Sequence, residues 1–165
     1  MKIPYKSRLA GTFGIDELIK LNNKALHGVL ATAHDDIPYT SLVAYAFDHQ
    51  EKVFVFVTPR KTTKYSNILK NPNVSLLIDT RENTDKDYLS GEAYTVIGKA
   101  MPLRASKRRE RLLITFLNKH PKLADFSKER STALIAVDIQ RCFKVTKFQE
   151  VFHYKTSTRI SREAQ

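Results

Sequence analysis

The stretch VFVFVTPRKTTKYSNILKNPNVSLLID, residues 53–79, decides how the chain is read. It opens on VFVFVT at 53–58, an unbroken run of strong β-formers. A short polar turn follows, and Thr62 or Thr63 can cap a helix whose apolar side is Tyr65, Ile68 and Leu69. Pro72 ends that helix, because the residue before a proline is pushed out of helical space. A new strand, VSLLID, starts at Val74. Strand, basic turn, short helix and strand form the pivot of the chain.

Working upstream, DELIKLNNKAL (16–26) reads as a helix with an acidic first turn, after an irregular lead-in over 1–14. HGVLATA (27–33) and PYTSLVAYAFD (38–48) are strands separated by the turn signal HDDI, and DHQEK turns the chain into residue 53. Short polar turns between strands describe an antiparallel meander, not a βαβ unit. Downstream, TRENTDKDYLS (80–90) is a polar loop. GEAYTVIGKAMPL (91–103) is a strand expected to bend at Gly98. ASKRRERLLITFLNKHP (105–121) is a helix with Leu112, Leu113, Phe116 and Leu117 on one stripe. STALIAVDIQRCFKVTKF (131–148) is a long final strand interrupted near Gln140. The expectation is a mainly β fold with flanking helices: six antiparallel strands in a small closed or partly open barrel. Residues 1–150 make one domain, and 151–165 a polar C-terminal tail.

Composition narrows the class. The 165 residues are 42% hydrophobic and 27% charged, an ordinary soluble domain. No run approaches the ~20 apolar residues of a membrane span, so no membrane partner is expected. The first residues lack an apolar signal core, and the single cysteine, Cys142, forbids an intrachain disulfide, so the expected compartment is the cytoplasm. Net charge is +11, but residues 1–98 carry only +1, while 99–131 carry +7 and 141–162 carry +5. Such a basic back half suits an anionic cofactor, nucleic acid or a solvated helix face.

Standard catalytic patterns are absent. There is no G-x-S-x-G, Walker loop or G-x-G-x-x-G. His27, His34, His49, His120 and His153 have no paired spacing, so no metal is expected. No residue stands out as catalytic. The informative feature is again the pivot: Arg60, Lys61, Thr62, Thr63 and Lys64 follow the strand end at Thr58 and meet a helix start. Hydroxyls, cations and free helix-start N–H groups there match what a phosphate monoester requires.

In its ordered pieces, from VLATAHDDIPYTSLVAYAF through NPNVSLLID to VIGKA, residues 28–103 resemble the pyridoxamine 5′-phosphate oxidase-like flavin-binding proteins. The resemblance implies a six-stranded Greek-key split β-barrel, a homodimer, and FMN held in a groove between the subunits. Carried over by position, Ser41 would stand near the phosphate, and Leu42, Val43 and Ala44 would set strand backbone against the isoalloxazine. Val57 and Thr58 would line the ribityl chain and ring edge, and Thr62, Thr63 and Lys64 would hold the phosphate, Lys64 foremost. A fixed cation gains most against a doubly charged ligand. The resemblance also implies an oxidoreductase acting on a small molecule at the flavin. The vitamin-oxidising members differ here: they carry Arg where Ser41 stands, Lys where Ala46 stands, and a terminal Arg-x-His pair that this chain lacks.

Within the chain, Lys99 and Lys144 are candidates to face a flavin's pyrimidine side, and Tyr45, Tyr94 and Phe143 to stack on a ring; exposed lysines and core aromatics are the simpler alternatives. Two other functions compete. A related branch of split barrels handles haem, with His153 as axial ligand. A basic nucleic-acid binder using residues 99–131 is the third, weakened because that helix interleaves no aromatics on its basic side.

Overall fold

The structure is a computed structural model that describes residues 8–146 and 150–154. The meander forms as its turn residues dictate. β2 (His27–His34) and β3 (Ile37–Asp48) are joined by Asp35 and Asp36, at φ 49° and 60°. That left-handed pair matches the twist of a two-residue hairpin. β4 (Val53–Pro59) pairs back on β3, α2 (Thr63–Lys70) follows it, and β5 (Asn73–Asp79) returns to pair with β2. β6 (Glu92–Pro102) pairs with β5, and β7 (Thr132–Thr146) pairs with both β6 and β4. The order β7-β4-β3-β2-β5-β6 therefore closes on itself through the β6–β7 ladder.

That closure needs one irregularity. Ile97 pairs with Arg141 and Gly98 with Ile139, so Gln140 is the extra residue of a bulge. At Gly98 a Cβ would stand 2.2 Å from the Asp138 carbonyl oxygen, so no larger residue fits. Both the bend at Gly98 and the interruption near Gln140 fall where the sequence places them.

Eight strands rather than six stand among the described residues. The lead-in contains β1 (Arg8–Phe13), and the start of the expected tail is β8 (Glu150–Tyr154). β8 extends the sheet antiparallel beyond the second half of β7, and β1 pairs with β8 in parallel. The supposed tail thus contributes a strand through Tyr154, while 155–165 lie outside the described residues. The long β7 leaves a free edge past its bulge, and β8 covers it.

Alternation along the strands makes two cores. Leu30, Val43, Tyr45, Phe54, Phe56, Leu76, Ile78 and Ile135 fill the interior with Leu18 and Leu21 of α1 (Ile15–Lys24). On the outer face of β3, β4 and β7, Ala46, Val55 and Leu134 meet Leu112 and Phe116 of α4 (Lys107–Lys119). Ser106 caps α4 by accepting from the Arg109 N–H. A short α3 (Asp87–Ser90) interrupts the 80–90 loop, and α5 (Ala124–Lys128) precedes β7.

Ion pairs clamp the helices. Arg111 bonds Asp48 at 2.7 Å and also contacts Glu51, while Arg108 reaches Glu51 at 2.7 Å. Two cations of the basic segment therefore dock α4 onto the β3–β4 hairpin. Lys144 lies 2.8 Å from both Glu17 and Glu92, tying α1 to the strands. The Lys144 hydrogen bond holds the Glu17 carboxyl below its usual range of about 4.5, against the opposing effect of burial. A depressed carboxyl contributes stability that is present above its unfolded pKa and lost as pH falls through its folded one. Glu17→Gln is expected to lower unfolding free energy by about 1 kcal/mol or less, because the pair is partly exposed. Denaturant titrations of both proteins should show that difference constant at pH values above the ordinary carboxyl range and lost as pH falls through the lowered pKa of Glu17. A difference independent of pH would contradict the clamp.

Candidate functional site

Strand β4 ends at a corner built by two chain segments. The Arg60 N–H donates to the Ser131 carbonyl at 2.7 Å, fixing the turn after β4 against the start of β7. Thr62 is the N-cap of α2: its hydroxyl accepts from the Tyr65 N–H at 3.4 Å and donates to the Pro59 carbonyl at 2.9 Å. The Thr58 hydroxyl lies 3.3 Å from it. Of the two threonines the sequence offers as caps, Thr62 is the one that caps, and its hydroxyl is occupied within the protein. Arg60 is also engaged, donating to the Tyr65 hydroxyl at 2.8 Å.

Thr63 and Lys64 differ. Thr63 is exposed and Lys64 half-buried, and neither side chain has a hydrogen-bond or ion-pair partner among the described residues; the same holds for Lys61. Thr63 and Lys64 thus stand uncommitted on the first turn of an eight-residue helix, with Lys61 just ahead of its cap. The positive end of the helix dipole adds to their field.

Parity separates the remaining candidates. Ser41 pairs with Leu30 and Val43 with Gly28, so both side chains take the interior side; Val43 is buried in the core. The Ser41 hydroxyl is buried without a partner, an orphaned polar atom that a bound group or water must satisfy. Leu42 and Ala44 take the outer side, Leu42 exposed at 67% and Ala44 packed towards α4. Thr58 is buried, while Val57 packs on the outer cluster beneath α4. The nine candidates accordingly occupy a corner, a core face and an outer face rather than one surface.

The outer face carries an apolar strip whose extent across three strands the sequence did not show. Val29 pairs with both Leu42 and Leu77, and these three form an exposed apolar strip across β3, β2 and β5. Beside it lies a groove of about 230 Å³ lined by Leu77, Ala93 and Val145. A wider cleft of about 1020 Å³ runs from Leu42 and His27 to the 79–90 loop. Only the register of three strands reveals this strip; the alternation in each segment was its only trace in the sequence.

Other candidates are placed elsewhere. Lys144 is committed to Glu17 and Glu92, and Lys99 is exposed. Tyr45 and Tyr94 are core residues, and burial pushes both phenols up. Phe143 meets His153 edge-on at 4.7 Å, with His153 exposed on β8. No group of three or more metal-ligating side chains converges among the described residues. No described helix is long and apolar enough to cross a membrane.

The family model for pyridoxamine 5′-phosphate oxidase matches residues 15–146, which include the pivot, α2 and the closing β6–β7 ladder. The chain belongs to the pyridoxamine 5′-phosphate oxidase family. No curated protein matches in sequence. Among solved structures, a haem-binding protein from Mycobacterium smegmatis superposes with TM-score 0.72 at 15% identity, covering 81% of this chain and 54% of that one. A haem storage protein from Vibrio cholerae gives 0.68 at 16%, covering 79% and 92%. An FAD-binding protein from Mesorhizobium loti gives 0.66 at 18%, covering 80% and 92%. At such identities the likeness is one of fold.

Proposed function

We propose that the chain binds FMN and serves as an oxidoreductase for a small molecule, with the phosphate at the first turn of α2 and the ring on the outer face beside Leu42. The observation that carries this reading is the uncommitted set at the helix start, Lys61, Thr63 and Lys64, in a member of this family. Cations and free N–H groups on a helix N-terminus suit a phosphoryl dianion. The Ser41 hydroxyl is orphaned too, but on the interior side of β3, opposite Leu42, so it is not assigned to the ring site. In this reading Thr62 serves the site by holding the helix start, its hydroxyl being engaged with the Pro59 carbonyl and the Tyr65 N–H. When bound, the flavin would supply the redox chemistry, and the protein its position and field.

The closed strand cycle is read as the family's split barrel. Two copies would pack through the strip of Val29, Leu42 and Leu77, which in one chain leaves large apolar side chains in water. Cytoplasmic residence is part of the same reading, on the cysteine content of the sequence; Cys142 itself is buried and its thiol is pushed up to about 12, an unreactive cysteine. Haem is the second reading, favoured by the two haem-associated structures of the same fold, with His153 as the exposed imidazole. Nucleic acid is less supported, since Arg108 and Arg111 are engaged in docking α4.

Titration with FMN followed by fluorescence quenching tests the primary reading. Lys64→Ala should weaken binding by 10-fold or more, because a charge-assisted hydrogen bond contributes about 1.5–3 kcal/mol. An unchanged Kd would remove Lys64 from the site, and a Soret band on adding haem with no FMN uptake would favour the second reading. In sedimentation, Leu42→Lys should shift a dimer to monomer at micromolar concentration. A wild-type monomer under the same conditions would remove the twofold contact.

A further inference from the structure

The strand cycle closes at one end only. β3 pairs with β4 just over Tyr45–Asp48, and β4 pairs with β7 just over Thr132–Asp138. Beyond those ladders β3, β2, β5, β6, β7 and β8 run on as an open sheet. Their register sets Leu42, Val29, Leu77, Thr95, Phe143 and His153 in one row across it. The row lies on the outer face, because the flanking Val43, Leu76, Tyr94, Val96 and Cys142 are buried in the interior core. α4 covers the outer face elsewhere, at Ala46, Val55 and Leu134. With strands about 4.8 Å apart, the row is about 24 Å long. A face that wide has room for the ~800 Å² that each partner buries in a stable contact.

This face has relief. At its β3 end Leu42 stands out, 67% exposed. Across the sheet lies the groove of about 230 Å³ walled by Leu77, Ala93 and Val145. Charged groups at the groove are already satisfied within the chain. Asp79 pairs with Arg81, Asp87 accepts from the Glu82 and Thr84 N–H groups, and Glu92 pairs with Lys144. What the groove offers an incoming group is its apolar wall. Leu42 and the groove are placed symmetrically about the β2–β5 seam: β3 is one strand beyond β2, and β6, which carries Ala93, is one strand beyond β5. The seam itself is apolar, with Val29 paired to Leu77.

We propose that two copies of the chain dock with Leu42 of each in the groove of the other, about a twofold axis that runs along the strands above the β2–β5 seam. The proposal rests on the dimer reading above and gives that dimer its register. A twofold contact is self-complementary, so a protruding side chain needs a recess where the axis maps it. This axis carries Leu42 over Ala93 of the partner subunit, and Val29 over Leu77 of the partner subunit. The most exposed apolar side chain of the row then leaves water for an apolar recess. The ring site beside Leu42 gains a second wall, from Ala93 and Val145 of the partner subunit, so one chain alone holds half of it.

Disulfide trapping in the full chain tests the register. Within one chain Leu42 and Ala93 stand three strands, about 14 Å, apart, too far for a disulfide, so a bond between cysteines at those positions joins two copies. The buried Cys142 takes no part. Under copper phenanthroline the double variant Leu42→Cys, Ala93→Cys should form a covalent dimer on a non-reducing gel, about 10-fold or more above either single variant. As a second measurement, Ala93→Trp, which fills the groove, should weaken the dimer by about 10-fold or more in sedimentation. A wild-type dimer whose double variant does not cross-link, or in which Leu42→Cys alone links as well, would overturn this register and leave the dimer reading standing. A wild-type monomer would overturn both.

Discussion

Everything in this structure depends on the ladder between β6 and β7. Those strands are joined through the long excursion of α4 and α5, yet the whole of β6 pairs with β7 and turns six strands into a closed cycle. Closure divides each strand into residues that face in and residues that face out. It fixes Val43, Tyr45, Phe54 and Phe56 inside, and leaves Leu42, Val29 and Leu77 outside without cover. The Gln140 bulge and the bare Cα of Gly98 let β7 bend enough to complete the ladder.

The helices then follow from charge as much as from apolar contact. α4 has only two fully buried side chains, Leu112 and Phe116, and is held in addition by Arg108 and Arg111 on the β3–β4 hairpin. α1 is held at one end by Lys144 through Glu17, and at the other by Lys119 on the Ala25 carbonyl. A chain of net charge +11 thus commits several cations to internal docking. Lys61 and Lys64 are among the cations left without a partner, and what sets them apart is their place at the start of α2, where the helix dipole favours an anion from outside.

Much of this was legible in the sequence. Strong β-formers between Gly, Asp and Pro punctuation marked all six strands of the cycle, and both helices with clear apolar stripes, α1 and α4, were evident. Gly98 and Gln140 were readable because a glycine or a polar residue inside an apolar strand marks a bend or a break in the ladder. The terminal strands were not legible: RLAGTF and EVFHY are short, carry polar residues, and are strands because β7 offers β8 an edge and β8 in turn offers one to β1. α3 and α5 are single-turn elements fixed by their surroundings. At the candidate site the sequence identified the corner but not the division of labour within it. Thr62 and Thr63 are alike as residues, and only the cap geometry assigns one to the helix and leaves the other free. The sidedness of Ser41 to Ala44, and the strip that Leu42 shares with Val29 and Leu77, required the register.

The central claim is that the first turn of α2 receives a phosphoryl group. It is tested most directly by amide chemical shifts in a ¹⁵N-labelled sample titrated with FMN. The account predicts the largest displacements at the N–H groups of Thr63 and Lys64. Displacements confined to residues remote from that turn, or none at saturating ligand, would contradict it.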